Sequence, residues 1–197
     1  LKVMPRGVDL TRFNPAKRDA GFWKQYGLNG NLKLLYVGRV SREKNIKTLM
    51  DAFQFTRSTT PNLDLVVVGD GPELADLRRS QVGGNVCFTG VLQGEELAVA
   101  YASADLFVFP SASDTFGNVV LEAHASGLPA IVSTQGGPAE IVARNGSGLV
   151  VDVRTPAPLC AGIRELVWDG ERRAAMGRSA LKTAHEMSWD LALDQFT

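Results

Sequence analysis

The chain has 197 residues, 45% of them hydrophobic, which suits one sizeable or two small domains around a buried core. Lys plus Arg and Asp plus Glu number 21 each, so net charge gives no reason to expect a nucleic-acid or membrane-surface partner, and any anion site must be local. Cys87 and Cys160 match neither a metal-ligand nor a redox spacing, so reduced buried thiols are expected.

The opening "LKVMPRGVDL" reads as mid-protein sequence, and the expectation is an excised domain. With no leader pattern and no apolar run long enough to span a bilayer, the expected location is cytoplasmic. Strand-like runs follow at 32–38, 63–69, 86–90, 106–110, 129–133 and 148–152, each short, nearly continuously apolar and suited to cover on both faces. Helix-period segments lie between them: "NIKTLMDAFQFTRS", "PELADLRRSQ", "GEELAVAYASA", "GNVVLEAHASG" and "GPAEIVARNG". From Thr155 onward only helical period remains, giving two or three closing helices. The alternation predicts an α/β fold with a doubly wound, Rossmann-like parallel sheet.

In such folds ligands sit beyond the carboxyl ends of the strands, so the strand-to-helix junctions carry the functional candidates. Arg39 and Lys44 leave the first junction just before a helix, which fits an anion site or a solvated basic loop paired with Glu43. At the junction after the fourth strand, Gly117 is expected to open a helix whose free amides can face a phosphate. Asp114 precedes that helix, while Asn118 and Glu122 share one face of it. A carboxylate can accept from both hydroxyls of a vicinal diol, as ribose offers; a helix cap at Asp114 or Thr115 and a solvated Glu122 are the plain alternatives. Together the loops describe a sugar-nucleotide site. "GDGPEL" is not a dinucleotide fingerprint and "GRVSREKN" is not a Walker loop. His124 and His185 have no partner at ligand spacing, and His124 is expected to pack inside. "GGPAE" fits a tight turn as well as a ligand contact, "NGS" at 145–147 reads as a turn, and Phe53, Phe55, Trp168 and Trp189 are assigned to core or interdomain packing.

The ordered set "GRVSREKNIKTLMDAF", "VVVGDGPEL", "FTGVL", "DLFVFPSASDTFGNVVLEAHASGLPAIVS" and "GGPAEIV" resembles the C-terminal, donor-binding domain of retaining GT-B glycosyltransferases of family 4 (group 1). The resemblance covers nearly the whole chain, 1–197, and implies that an N-terminal acceptor domain is absent from it. It implies that Arg39 and Lys44 contact the donor diphosphate, Asp114 the sugar hydroxyls and Glu122 the ribose. Phe116, Gly117, Asn118 and Val119 match the loop whose backbone touches sugar and phosphate. Val91 and Leu92 match the segment lying against the base, and Gly7 the loop facing the interdomain cleft. The usual first acid of the pair is glutamate, one methylene longer than Asp114, and methionine often stands where this chain has His124.

The implied reaction transfers a hexose from a nucleoside diphosphate sugar to an acceptor hydroxyl with retention, in glycolipid or polysaccharide synthesis, with Arg39, Lys44 and Asp114 as its catalytic group. GDP-mannose and UDP-hexoses are the donors to consider. Glycan or lipid acceptors would be reached through the second domain, and the resemblance allows peripheral membrane association of a full-length enzyme. No metal site and no cofactor are expected. A non-catalytic sugar-nucleotide module and a flavodoxin-like regulatory domain are the alternative readings.

Overall fold

The computed structural model describes residues 7–29, 32–80 and 85–189. Six parallel strands, β1 (Leu32–Val37), β2 (Leu63–Val68), β3 (Val86–Gly90), β4 (Leu106–Phe109), β5 (Ala130–Ser133) and β6 (Gly148–Val151), form one sheet in the order β3-β2-β1-β4-β5-β6. The helices are α1 (Ile46–Arg57), α2 (Leu74–Ser80), α3 (Gly94–Ala102), α4 (Asn118–Ala125), α5 (Gly137–Asn145), α6 (Pro156–Trp168) and α7 (Gly170–Glu186). The sequence-expected strands match to within a residue or so at each end. Two of the closing helices are described; residues 1–6, 81–84 and 190–197 of the expected elements lie outside the described residues.

The strand order follows from the apolar runs. β1, β2, β4 and β5 are buried along nearly their whole length, whereas β3 and β6 are only half-buried because each lies at a sheet edge. The chain winds outward from β1 toward β3 and from β4 toward β6, so right-handed crossovers place helices on opposite faces. α6 returns across the sheet to pack on α1, and α7 packs on α4 and α5.

One charged pair interrupts the apolar interior. Lys33 and Asp64 sit in register on β1 and β2, both almost fully buried, with Nζ and Oδ2 3.0 Å apart. Asn85 Nδ2 donates to Asp64 Oδ1 at 2.8 Å, satisfying the other carboxylate oxygen.

Of the four aromatics assigned to core or interdomain packing, only Phe53 is in the core, and Trp189 is 41% exposed. Phe55 and Trp168 are 64% and 61% exposed, because α1 and α6 turn those positions outward. Trp168 Nε1 donates to Thr60 Oγ1 at 3.0 Å and its ring lies 4.8 Å from the Arg164 guanidinium, which suits a surface tryptophan. Cys87 and Cys160 are free and half-buried, less enclosed than the sequence suggested. Burial pushes the Cys87 thiol up to about 11. Among the described residues no helix is long and apolar enough to cross a membrane.

Candidate functional site

β1 and β4 are neighbours, and the connections leaving them run in opposite directions. That switch point lies at the carboxyl ends of the strands, where loops 38–45 and 110–117 meet and where ligands bind in folds of this kind. The Tyr36 hydroxyl donates to Arg39 O at 2.8 Å, fixing the start of the first loop. Asn45 closes it in the left-handed region (φ 52°), which a short polar side chain tolerates, and its Nδ2 donates to Pro110 O at 3.1 Å. Ser113 Oγ donates to Glu43 O at 3.3 Å. The two loops are thus laced together although distant in sequence. Lys44 and Asp114 are ion-paired across them, both partly buried, while Arg39 remains exposed at the rim.

Gly117 caps α4 at φ 69°, a conformation that a Cβ would strain, and α4 begins at Asn118 as the sequence predicts. α4 therefore opens four residues after Asp114, the partner of Lys44. Asn118 and Phe116 are exposed there, Val119 is half-buried and Gly117 is buried. The GGPAE loop supports this arrangement from behind. Gly137 N donates to Asp114 O at 3.1 Å, and a Cβ on Gly136 would stand 2.3 Å from that same carbonyl oxygen. Two backbones meet where no side chain fits, which makes the two glycines the scaffold of the acid's loop.

Glu122 is not on a solvated face. It is half-buried, and the Tyr101 hydroxyl donates to its Oε2 at 2.9 Å. Burial pushes the Glu122 carboxyl above the usual range, opposed by the Tyr101 hydrogen bond and the nearby Arg12 charge. The Tyr101 phenol is itself pushed up by burial and by Glu122. His124, two residues on, is fully buried; Nδ1–H donates to Leu128 O at 3.1 Å, leaving Nε2 to accept from Ser147 Oγ at 2.8 Å. Burial pulls its pKa down to about 4, so the ring is a neutral packing group, as expected from its isolation in sequence.

Val91 and Leu92 follow β3 and line a hollow of about 280 Å³ with Gly38, Arg39, Gly69 and Asp70. Larger hollows, of about 310 Å³ around Arg18 and Arg173 and about 440 Å³ between α1 and α2, lie away from the switch point. The chemistry of the loops, not the volume, marks the site. Gly7 is held elsewhere in the network: a Cβ there would stand 2.4 Å from Trp189 N, and Val8 bonds to Met187 O at 3.0 Å. Close packing on the segment after α7 is its observed environment. The turn at 145–147 is present, with Gly146 left-handed and Ser147 buried against His124.

The sequence profile described as "Glycosyl transferases group 1" matches residues 22–183. The chain belongs to the group 1 glycosyltransferase family. A GDP-mannose-dependent alpha-mannosyltransferase of Corynebacterium glutamicum is 36% identical over 191 residues, covering 96% of this chain and 45% of that protein. A sulfoquinovosyl transferase, SQD2, of Arabidopsis thaliana is 34% identical over 198 residues, covering 98% of this chain and 38% of that one. Among solved structures, sucrose-phosphate synthase from Thermosynechococcus elongatus superimposes with a TM-score of 0.84 at 28% identity, over 99% of this chain and 50% of its own. This group 1 chain thus has the Rossmann-like architecture of a GT-B glycosyltransferase domain and spans between 38% and 50% of the length of these relatives.

The structure brings Arg39, Lys44, Asp114, Phe116, Gly117, Asn118 and Val119 to one switch point, with Val91 and Leu92 flanking it beside Arg39. Tyr101, Arg12 and Asn45 escaped the sequence reading. Tyr101 has the helical spacing of a core residue, and its partner lies on another helix 21 positions away.

Proposed function

We propose that this chain is the donor-binding half of a retaining family 4 hexosyltransferase, transferring a sugar from a nucleoside diphosphate to an acceptor hydroxyl. The observation that carries the reading is the meeting of Lys44 and Asp114 at the switch point, beside Arg39 and the start of α4. Arg39, Lys44 and the first α4 amides hold the diphosphate. Negative charge grows on that group as the glycosidic bond breaks, so preorganised cations and amides lower the barrier electrostatically. Asp114 orients sugar hydroxyls and does not attack. Glu122 accepts from the ribose diol, and the base rests against Val91 and Leu92. The counter-charge comes from the chain's own side chains and backbone, so the proposal calls for no cofactor. GDP-mannose, named for the Corynebacterium relative, is the donor to test first.

A glycan or lipid acceptor must approach the anomeric carbon from across a cleft, and this chain supplies one wall of it. Proximity then requires a second domain. The 197-residue chain is expected to bind GDP and GDP-mannose by calorimetry yet transfer no sugar, with turnover appearing once an upstream acceptor domain is joined to it. Acceptor-dependent transfer of labelled mannose by the chain alone would refute the half-enzyme reading; failure to bind any nucleoside diphosphate would refute the donor site.

A further inference from the structure

We propose that Tyr101 is a positioning residue for the donor site: its hydroxyl pins Oε2 of Glu122 so that Oε1 remains to receive the ribose hydroxyls. This rests on the assignment of Glu122 to ribose made above. Tyr101 is fully buried, and its ring is wedged edge-on against Phe13 (centroids 5.6 Å apart, 87°) and tilted against Phe107 at 5.7 Å. A phenol so confined presents its hydroxyl in one place, 2.9 Å from Oε2. Glu122 would otherwise be free to turn its carboxyl about the last side-chain bond, which is a broad torsion. With Oε2 occupied by a donor that cannot move, the plane of the carboxylate is set before the ligand arrives. Preorganisation of this kind improves affinity by removing an ordering cost.

The same bond helps keep Glu122 ionised. The titratable and charged groups facing it among the described residues are Tyr101 from α3 and Arg12 from the loop ahead of Phe13. Both favour the carboxylate, against the burial that favours the acid. On α4 itself, Asn118 is neutral and His124 is turned into the core. Removing the phenol hydroxyl therefore shifts Glu122 toward protonation, and a protonated Glu122 is a poorer acceptor for a diol.

The test is Tyr101→Phe, which keeps the ring and its packing. Calorimetry with GDP and with 2′,3′-dideoxy-GDP, from pH 5 to 8, separates the possibilities. The expected result is about a five- to tenfold loss for GDP at neutral pH, no loss for the dideoxy analogue, and an upward shift of the pH below which GDP binding weakens. Equal losses for both ligands with an unmoved pH midpoint would reduce Tyr101 to a structural residue and overturn the proposal, as would unchanged GDP affinity. Glu122→Gln, measured with the same pair, isolates the underlying reading. If it affects both ligands equally, the ribose assignment fails, and the positioning role fails with it for that separate reason. Should the Phe variant not fold, ¹³C NMR of labelled wild-type chain gives a second measurement. The Tyr101 Cζ resonance must follow the Glu122 carboxyl titration, and a Tyr101 signal indifferent to it overturns the proposal.

Discussion

Lys44 and Asp114, one from the loop after β1 and the other from the loop after β4, form a partly buried ion pair across the centre of the sheet. On the proposed reading, a diphosphate held by Lys44 competes with Asp114 for the same ammonium. Asp114→Ala is therefore expected to leave GDP affinity unchanged or higher, while weakening GDP-mannose by about 1.5 to 3 kcal/mol through lost bonds to sugar hydroxyls. Calorimetry with both ligands gives the ratio directly, and parallel losses would remove Asp114 from the sugar.

The cations are expected to behave in the opposite way. Arg39→Ala or Lys44→Ala should cost about 1.5 to 3 kcal/mol with GDP and GDP-mannose alike, since the diphosphate is common to both. Raising salt should narrow the difference from wild type at exposed Arg39 more than at partly buried Lys44.

Glu122 offers a divergence between stability and binding. Its folded-state pKa is raised, mainly by burial, so between the ordinary glutamate pKa and that raised value the folded chain holds more protons than the unfolded one. Stability from this residue falls as pH rises through that window and stays lowered above it. Glu122→Gln should consequently raise the urea midpoint at pH 7.5, leave it little changed at pH 4, and weaken ribonucleotide binding. A lower midpoint at pH 7.5 would contradict the sign.

His124 sets an acid limit on the fold. Its pKa is pulled from 6.5 to about 4 by burial, so the unfolded chain binds a proton that the folded one refuses. The stability this residue protects is fully present above pH 6.5 and is lost as pH falls toward 4, about 3 kcal/mol in all. His124→Met should flatten that limb when denaturation is followed from pH 7.5 to 4.5; an unchanged slope would place the acid sensitivity elsewhere.

The Lys33–Asp64 pair is a test of register. Truncating Asp64 to Ala strands a buried ammonium and should cost about 3 to 5 kcal/mol, whereas Lys33→Leu with Asp64→Leu should recover much of it. A double variant no more stable than the single one would mean that the charges themselves hold β1 against β2.

Much of this molecule can be read from local pattern alone. The strands announce themselves because burial on both faces demands continuous apolar runs, and α4 because Gly117 can adopt a conformation closed to other residues there. What local pattern misses is contact across the sheet. Lys44 and Asp114 are 70 positions apart, and nothing in either loop says that their side chains meet. The aromatic positions divide for a related reason: Phe53 and Phe55 differ only in which way α1 turns them, one into the core and the other to the surface. Gly7 packs against the backbone after α7, a neighbour that only the closed chain brings near and that its motif does not announce.

The backbone of Asp114 is held by close neighbours. Gly137 bonds to its carbonyl and Gly136 abuts it too closely for any side chain, so the whole loop is held from the β5 side of the sheet. With its base held there, the acid proposed to meet the sugar would act as a ruler whose length is counted in methylenes. Exchanging aspartate for glutamate would advance the charge by about 1.5 Å and leave the rest of the site as it stands. On the proposed assignment of Asp114 to the sugar, that single exchange is expected to change which hexose is preferred without remodelling a loop.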